Sequence, residues 1–302
     1  VARVWRGKYA TLDERDLEAK APVYAKNLRR IFRKRVHDVA SAYGDVVDSW
    51  DVVNESSEDW ARYRKSRTGF GYAFSDYGLM PGDYPLHALL DAKEAISPKA
   101  KLCINDWNVK PEFLAQVKDL EDEGARIDVV GCQMHLFNTN DCMRLAKGAA
   151  NANWVGTPKT ISDRLDMMAK TGKPLHVSEV TIAAPGVSDR DRMIQAVLAH
   201  NIYRAWFAHP KTMGITWWNT VDGAGVAGEP LVSGLFTRDL QKKPVYHALD
   251  QLVNHEWRTH LTVRSEQSNN RTIVAFRGFR GRYRLSWADA GGKVREKIVE
   301  VR

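Results

Sequence analysis

The 302-residue chain has few cysteines, no low-complexity tract and no apolar run approaching the roughly 18 residues of a membrane span. Its three cysteines, Cys103, Cys132 and Cys142, cannot all pair with one another, which excludes a disulfide scaffold. Neither a Cys-x-x-Cys nor a His-x-x-x-His spacing occurs, so no metal site is expected. The opening residues, Val1-Ala2-Arg3-Val4-Trp5-Arg6, do not resemble a signal peptide, although a trimmed chain would have lost one. An excess of acid is lacking too: the net charge is +8 and the pI about 9.3. The basic residues are spread over expected helix faces, among them Arg29, Arg30, Arg33, Lys34 and Arg35, with a looser set near the C-terminus. No nucleic-acid-binding motif accompanies them, and a solvated surface is the expectation.

What is present is a repeating pattern. Residues 1–20 read as a connecting segment, after which Pro22 opens a helix to about Tyr43 with Val23, Leu28, Ile31, Phe32, Val36 and Val39 as an inward stripe. Gly44 stops it, and an apolar strand from about Val46 to Val53 delivers Asn54 and Glu55 at its end. Residues 56–82, rich in aromatics and glycine, read as a long loop. Then helices near 83–97, 111–123, 158–171, 189–208 and 244–254 alternate with strands near 101–106, 127–135, 174–179 and 214–219, each apolar first and polar last. Such alternation predicts a parallel βα array, whose strand C-termini form the catalytic face.

From His255 the texture changes to short alternating runs at 259–263, 271–276, 281–287 and 294–301, punctuated by Asn269-Asn270 and Gly291-Gly292. They predict a small antiparallel β module over 255–302, following a partial barrel domain over 1–254. Trp257, Phe276, Phe279, Tyr283 and Trp287 are expected to form that module's core, packed on the larger domain, rather than a carbohydrate platform. The array has five strands where a closed (β/α)8 barrel needs eight. Three strands are therefore expected before residue 1, supplied by a second polypeptide or lost from this one.

Two strands end in glutamate: Trp50-Asp51-Val52-Val53-Asn54-Glu55 and Pro174-Leu175-His176-Val177-Ser178-Glu179. A glycosidic bond is cleaved by two flanking carboxyl groups, which in a retaining enzyme sit about 5–5.5 Å apart. Glutamates facing each other across a barrel mouth suit that task. The six residues 50–55 resemble the acid/base strand of glycoside hydrolase family ten, the endo-β-1,4-xylanases. Asn105-Asp106-Trp107-Asn108, Gly131-Cys132-Gln133-Met134-His135, His176-Val177-Ser178-Glu179, Gly214-Ile215-Thr216-Trp217-Trp218 and Lys243-Pro244-Val245-Tyr246 resemble later motifs of that family, in family order, over about residues 22–254.

The resemblance implies a TIM barrel, with this chain giving about strands 4 to 8, and a retaining endo-β-1,4-xylanase-like activity on xylan or a related β-1,4-linked polysaccharide. Carried over by motif, Glu55 is the acid/base and Glu179 the nucleophile. Asn54 bonds the sugar 2-hydroxyl, Gln133 and His135 line the same subsite, and Trp218 is the floor for a sugar ring. Trp107 and Asn108 are candidates for the leaving-group side, whereas Asn105 and Asp106 are equally placed to organise loops. Trp217 and Trp218 point to opposite faces of an extended strand, so one of them belongs to the core. His176, in mid-strand, is expected to be structural. A secreted, periplasmic or cell-surface location also follows from the resemblance.

Departures from the family are Thr181 where it has Asp, Asn219 where it has Gly, and a 223–236 loop without its second Trp. Thr181 and the missing Trp keep open another β-glycosidase of the same barrel clan, and a catalytically weak polysaccharide-binding protein is the alternative from another class.

Overall fold

A computed structural model describes residues 23–65, 72–75, 78–149, 156–268 and 271–301. Residues 1–20, Pro22, Phe70, Tyr77 and the Asn269-Asn270 turn lie outside the described residues. Five parallel strands form the main sheet: β1 (Ser49–Asn54), β4 (Lys101–Asp106), β5 (Val129–Cys132), β6 (Leu175–Val180) and β7 (Thr212–Trp217), in that spatial order. Between β1 and β4 come helix α2 (Ser57–Lys65), a hairpin of β2 (Tyr72–Ser75) and β3 (Gly78–Pro81), and helix α3 (Tyr84–Ala95). The expected 56–82 loop is thus mostly helix and hairpin.

Leu102, Ile104, Val130, Cys132, Leu175 and Val177 are buried because helices cover the sheet, the usual state of parallel strands. The covering helices are α4 (Pro111–Asp122), α6 (Pro158–Met168) and α7 (Asp189–Ala208), which bury Phe113, Leu120, Leu165, Met168, Ile202 and Trp206. Their starts are written locally. Pro111 and Pro158 open the first turns, and reciprocal caps join Thr157 to Thr160 and Ser188 to Asp191. A further helix, α5 (Thr139–Ala146), follows β5, and its N-cap Asn138 accepts from two backbone N–H groups. In β5, a Cβ on Gly131 would meet the Asn105 Cβ at 2.3 Å, so only glycine lets β4 and β5 stand this close.

Helix α1 (Tyr24–Tyr43) departs from its expected stripe. Val36 and Ala40 reach the core beside Leu102, but Val23, Ile31 and Phe32 are exposed. Its first half is tied instead by Arg29 to Asp83, and by Arg33 to Asp91 and Glu94. Gly44 ends α1 as expected, where a Cβ would lie 2.5 Å from the Ala40 carbonyl oxygen. The three cysteines are free and buried, and burial pushes the Cys132 thiol up to about 12, the state of a small core residue rather than a nucleophile.

Helix α8 (Pro244–Asp250) continues as a wider turn over Gln251–Glu256 and leads to two antiparallel pairs: β8 (Glu266–Ser268) with β9 (Arg271–Ile273), and β10 (Gly281–Ala288) with β11 (Val294–Val301). The expected strand at 259–263 does not form. Trp257 and Phe279 do pack on the main body: Trp257 stacks on Phe207 of α7 at 4.0 Å, and Phe279 meets the same ring edge-on. Trp287 stays 48% exposed and so is no core residue.

Candidate active site

The polar ends of β1, β4, β5 and β6 converge at one mouth. Glu55 sits where β1 turns into α2, with φ of +53°, a left-handed conformation costly for a side-chain-bearing residue. Three contacts hold that turn. The Glu55 N–H donates to the Asn105 carbonyl at 2.9 Å, the Ser57 N–H donates to the Asp106 carboxylate at 2.8 Å, and the Gln116 amide donates to Ser56 Oγ at 2.7 Å. Asp106 thereby places a carboxylate at the N-terminus of α2, where the helix dipole favours it. It also accepts the Asn108 N–H at 2.7 Å, and burial still raises its pKa.

Gln133 stands at the centre. Its Nε2 lies 2.8 Å from Asn105 Oδ1, 3.1 Å from Asn54 Oδ1 and 3.2 Å from Glu179 Oε1. One amide nitrogen with two hydrogens faces three acceptors, so these bonds are shared. Backbone bonds continue the sheet past β5: the Met134 N–H donates to the Glu179 carbonyl, and the Leu136 N–H to that of Thr181. This register brings His135 Nε2 to 3.4 Å from Glu179 Oε2. The other ring nitrogen, Nδ1, faces Thr181 Oγ1 at 3.1 Å. Phe137 stacks on the imidazole at 4.5 Å, and Trp218 meets it edge-on at 6.5 Å.

The two glutamates differ in surroundings. Burial pushes the Glu55 carboxyl pKa up, the charges of Glu179 and Asp106 add to the rise, and bonds from Gln133 and Asn54 oppose it. Glu179 instead has the Gln133 amide and the His135 ring against its two oxygens. Below them, Asp51 is also raised, first by burial; His176 opposes the shift and Glu179 adds to it. His176 itself is lowered by burial and bonds the Thr216 hydroxyl at 2.8 Å.

On the far side, Trp217 and Trp218 take opposite faces, as their adjacency predicts. Trp217 turns inward, stacks on Tyr203 and donates to the Asn219 carbonyl, whereas Trp218 is 45% exposed beside His135. The Trp218 indole N–H donates to Glu229 at 3.3 Å, and the Asn219 amide donates to the same carboxylate at 2.7 Å. The loop carrying Glu229 is anchored by the buried pair of Lys243 and Asp222 at 2.8 Å.

Of the remaining candidates, Trp107 is exposed, with the Lys110 ammonium over its ring. Asn108 is 3% exposed and its amide donates to Ser57 Oγ, so it braces the β4–α4 connection instead of facing a ligand. Sequence reasoning missed Phe137 and Glu229. Phe137 follows His135 by two, the spacing that shares a face in extended chain. Glu229 sits in an irregular loop with no periodic signal. Among the described residues, no cluster of three or more His, Cys, Asp or Glu side chains could hold a metal ion.

Residues 4–252 match the profile of Glycosyl hydrolase family 10. Endo-1,4-beta-xylanase B of Thermotoga neapolitana is 26% identical over 246 residues, which are 76% of this chain and 63% of that protein. Endo-1,4-beta-xylanase A of Thermoanaerobacterium saccharolyticum is 27% identical over 67% of this chain and 16% of its own length. The chain therefore spans less than two thirds of these relatives. In fold, it is similar to native xylanase 10B from Thermotoga maritima, with a TM-score of 0.57 at 22% identity over 77% of this chain and 68% of that one.

Proposed function

Because the chain belongs to glycosyl hydrolase family 10, a family of (β/α)8 barrels, we propose that it is a retaining endo-β-1,4-xylanase-like hydrolase. Glu55 is its acid/base and Glu179 its nucleophile. In this reading Glu179 attacks the anomeric carbon while Glu55 gives its proton to the departing glycosidic oxygen. Glu55 then takes a proton from the water that releases the sugar from Glu179. The observation that carries the reading is the unequal environment of two carboxylates sharing the Gln133 amide: one is pushed toward its protonated form, and the other meets nitrogens on both oxygens. Asn54, beside both, is assigned to the sugar 2-hydroxyl, and exposed Trp218 to the apolar face of a sugar ring. Trp107 is the remaining candidate for the leaving-group side.

We read β1, β4, β5, β6 and β7 as barrel strands four to eight, and 255–302 as a separate module. The partner is xylan or a related β-1,4-linked polysaccharide. A secreted or cell-surface site of action is part of the proposal, although one protein of similar fold is an intracellular xylanase of Thermoanaerobacterium saccharolyticum. No helix among the described residues is long and apolar enough to cross a membrane.

A second reading, another β-glycosidase of the same clan, draws on Glu229. This carboxylate, bonded to Trp218, stands at the sugar platform in a loop without a second Trp. Sugar release from xylan, compared with β-1,4-glucan, tests both readings. Faster release from xylan supports the first, a preference for glucan supports the second, and no release from either by the parent chain leaves the polysaccharide-binding alternative.

A further inference from the structure

Residues 257–302 hold eleven Lys and Arg and four Asp and Glu, so they carry seven of the chain's eight net positive charges. Arg295 of this stretch is paired with Asp289, as several main-body arginines are paired. Arg29, Arg33, Arg64, Arg126 and Arg204 each pair with a carboxylate. Arg258, Arg280, Arg282 and Arg284 are exposed, and among the described residues none is in ion-pair contact. All four line one groove of about 790 Å³ with Trp257, Tyr283 and His260, and among the described residues no carboxylate joins its walls. Arg282 and Arg284 alternate on β10 and so share a face about 7 Å apart. Glu300 stands directly across from Arg282 on β11, and Glu296 lies diagonally from Arg284, on that same face.

We propose that this groove binds an acidic polysaccharide, a β-linked chain bearing uronate groups, through the guanidinium groups of Arg258, Arg280, Arg282 and Arg284. A guanidinium matches a carboxylate with two parallel N–H bonds. The choice of polysaccharide over other polyanions rests on the hydrolase reading: a module that holds the acidic parts of the polymer raises the local concentration of its neutral stretches at the mouth. The expected gain is in retention on polymer, with no change in cleavage of short neutral substrates.

The test uses the full chain carrying Glu179→Gln, which keeps polymer intact, against 4-O-methylglucuronoxylan and the same polymer with its carboxyl groups reduced. Binding to the acidic form is expected to be at least tenfold tighter. The advantage should vanish in 1 M salt and in R280E/R282E/R284E, and shrink in the milder Arg284→Gln. With Glu179 intact, the triple variant should cleave short neutral xylo-oligosaccharides at the parent rate, which shows that it is folded. Equal binding of the two polymers overturns the proposal, as does tighter binding of single-stranded DNA than of the acidic xylan. If the parent cleaves nothing while the acidic preference persists, the hydrolase reading falls and the binding site stands.

Discussion

The mouth of the parallel sheet and the C-terminal hairpins handle charge in opposite ways. At the mouth, Gln133 is shared by Asn54, Asn105 and Glu179, Asp106 caps α2, and even the strained Glu55 is held by a backbone bond to Asn105. On and beside the hairpins, Arg258, Arg280, Arg282 and Arg284 line a groove with no ion-pair partner among the described residues, and Trp287 is exposed. A group that must meet a transition state gains from being fixed beforehand. Groups that grip a polymer at many points gain from adaptability, because each contact is weak and the sum decides.

The comparison breaks most sharply at the carboxylates. Glu179→Gln is expected to lower kcat for xylan by on the order of 10⁴ to 10⁶, and Glu55→Gln by about 10² to 10⁴, the range of general acid catalysis. Steady-state assays on neutral oligosaccharides read both, and a loss of less than tenfold in either sinks its assignment. Stability should separate the regions next. Asp222→Asn leaves Lys243 buried without its carboxylate and should cost about 3–5 kcal/mol in denaturant unfolding. Asp289→Ala, which removes the partner of Arg295 and an acceptor for the Gly291 and Lys293 N–H groups at the hairpin turn, should shift the unfolding midpoint far less. Equal costs would erase the distinction between a fixed mouth and a solvated module. Trp218→Ala should raise KM about tenfold, near 1.4 kcal/mol, with a smaller change in kcat; Trp287→Ala should leave both constants for short neutral substrates alone. The smallest effect is expected from Thr181→Ala, which removes the hydroxyl on His135 Nδ1 and should lower kcat a few-fold, about 1 kcal/mol, with KM held.

Proton affinity sharpens the same contrast. In the proposed role Glu55 donates a proton and so must be protonated, and activity should fall as pH rises through its raised pKa. Glu179→Gln removes one charge that raises it, and carboxyl NMR should find Glu55 titrating lower in that variant. The folded chain holds this proton more tightly than the unfolded one. Glu55 therefore favours the fold fully below the ordinary glutamate pKa, and that contribution is lost as pH climbs through the raised value. An unchanged Glu55 titration would mean that the two carboxylates do not sense each other.

The main sheet was legible because fully buried parallel strands read as apolar runs with polar ends, and Glu55, Gln133, His135 and Glu179 all sit at such ends. Helix α2 was hidden by its polar sequence, Ser57-Glu58-Asp59, whose start is capped by Asp106 from 49 residues away. The first half of α1 failed for the converse reason: Ile31 and Phe32 keep helical spacing, but ion pairs rather than apolar contacts set how it packs. Asn108 looked like a ligand contact by motif, yet the turn after Asp106 rotates it inward. The role of Glu229 depends on how an irregular loop folds back to Trp218, which no local pattern encodes. Nor does a run of arginines announce whether carboxylates will face them.

Glu179 is proposed to form the covalent bond to the sugar. Incubation with a 2-deoxy-2-fluoro-xylobioside carrying an activated leaving group, followed by intact mass and peptide mapping, tests it directly. One fluoro-xylobiosyl group per chain is expected, attached to Glu179 and absent from Glu179→Gln. A label on another residue, or xylan turnover that survives in Glu179→Gln, would contradict it.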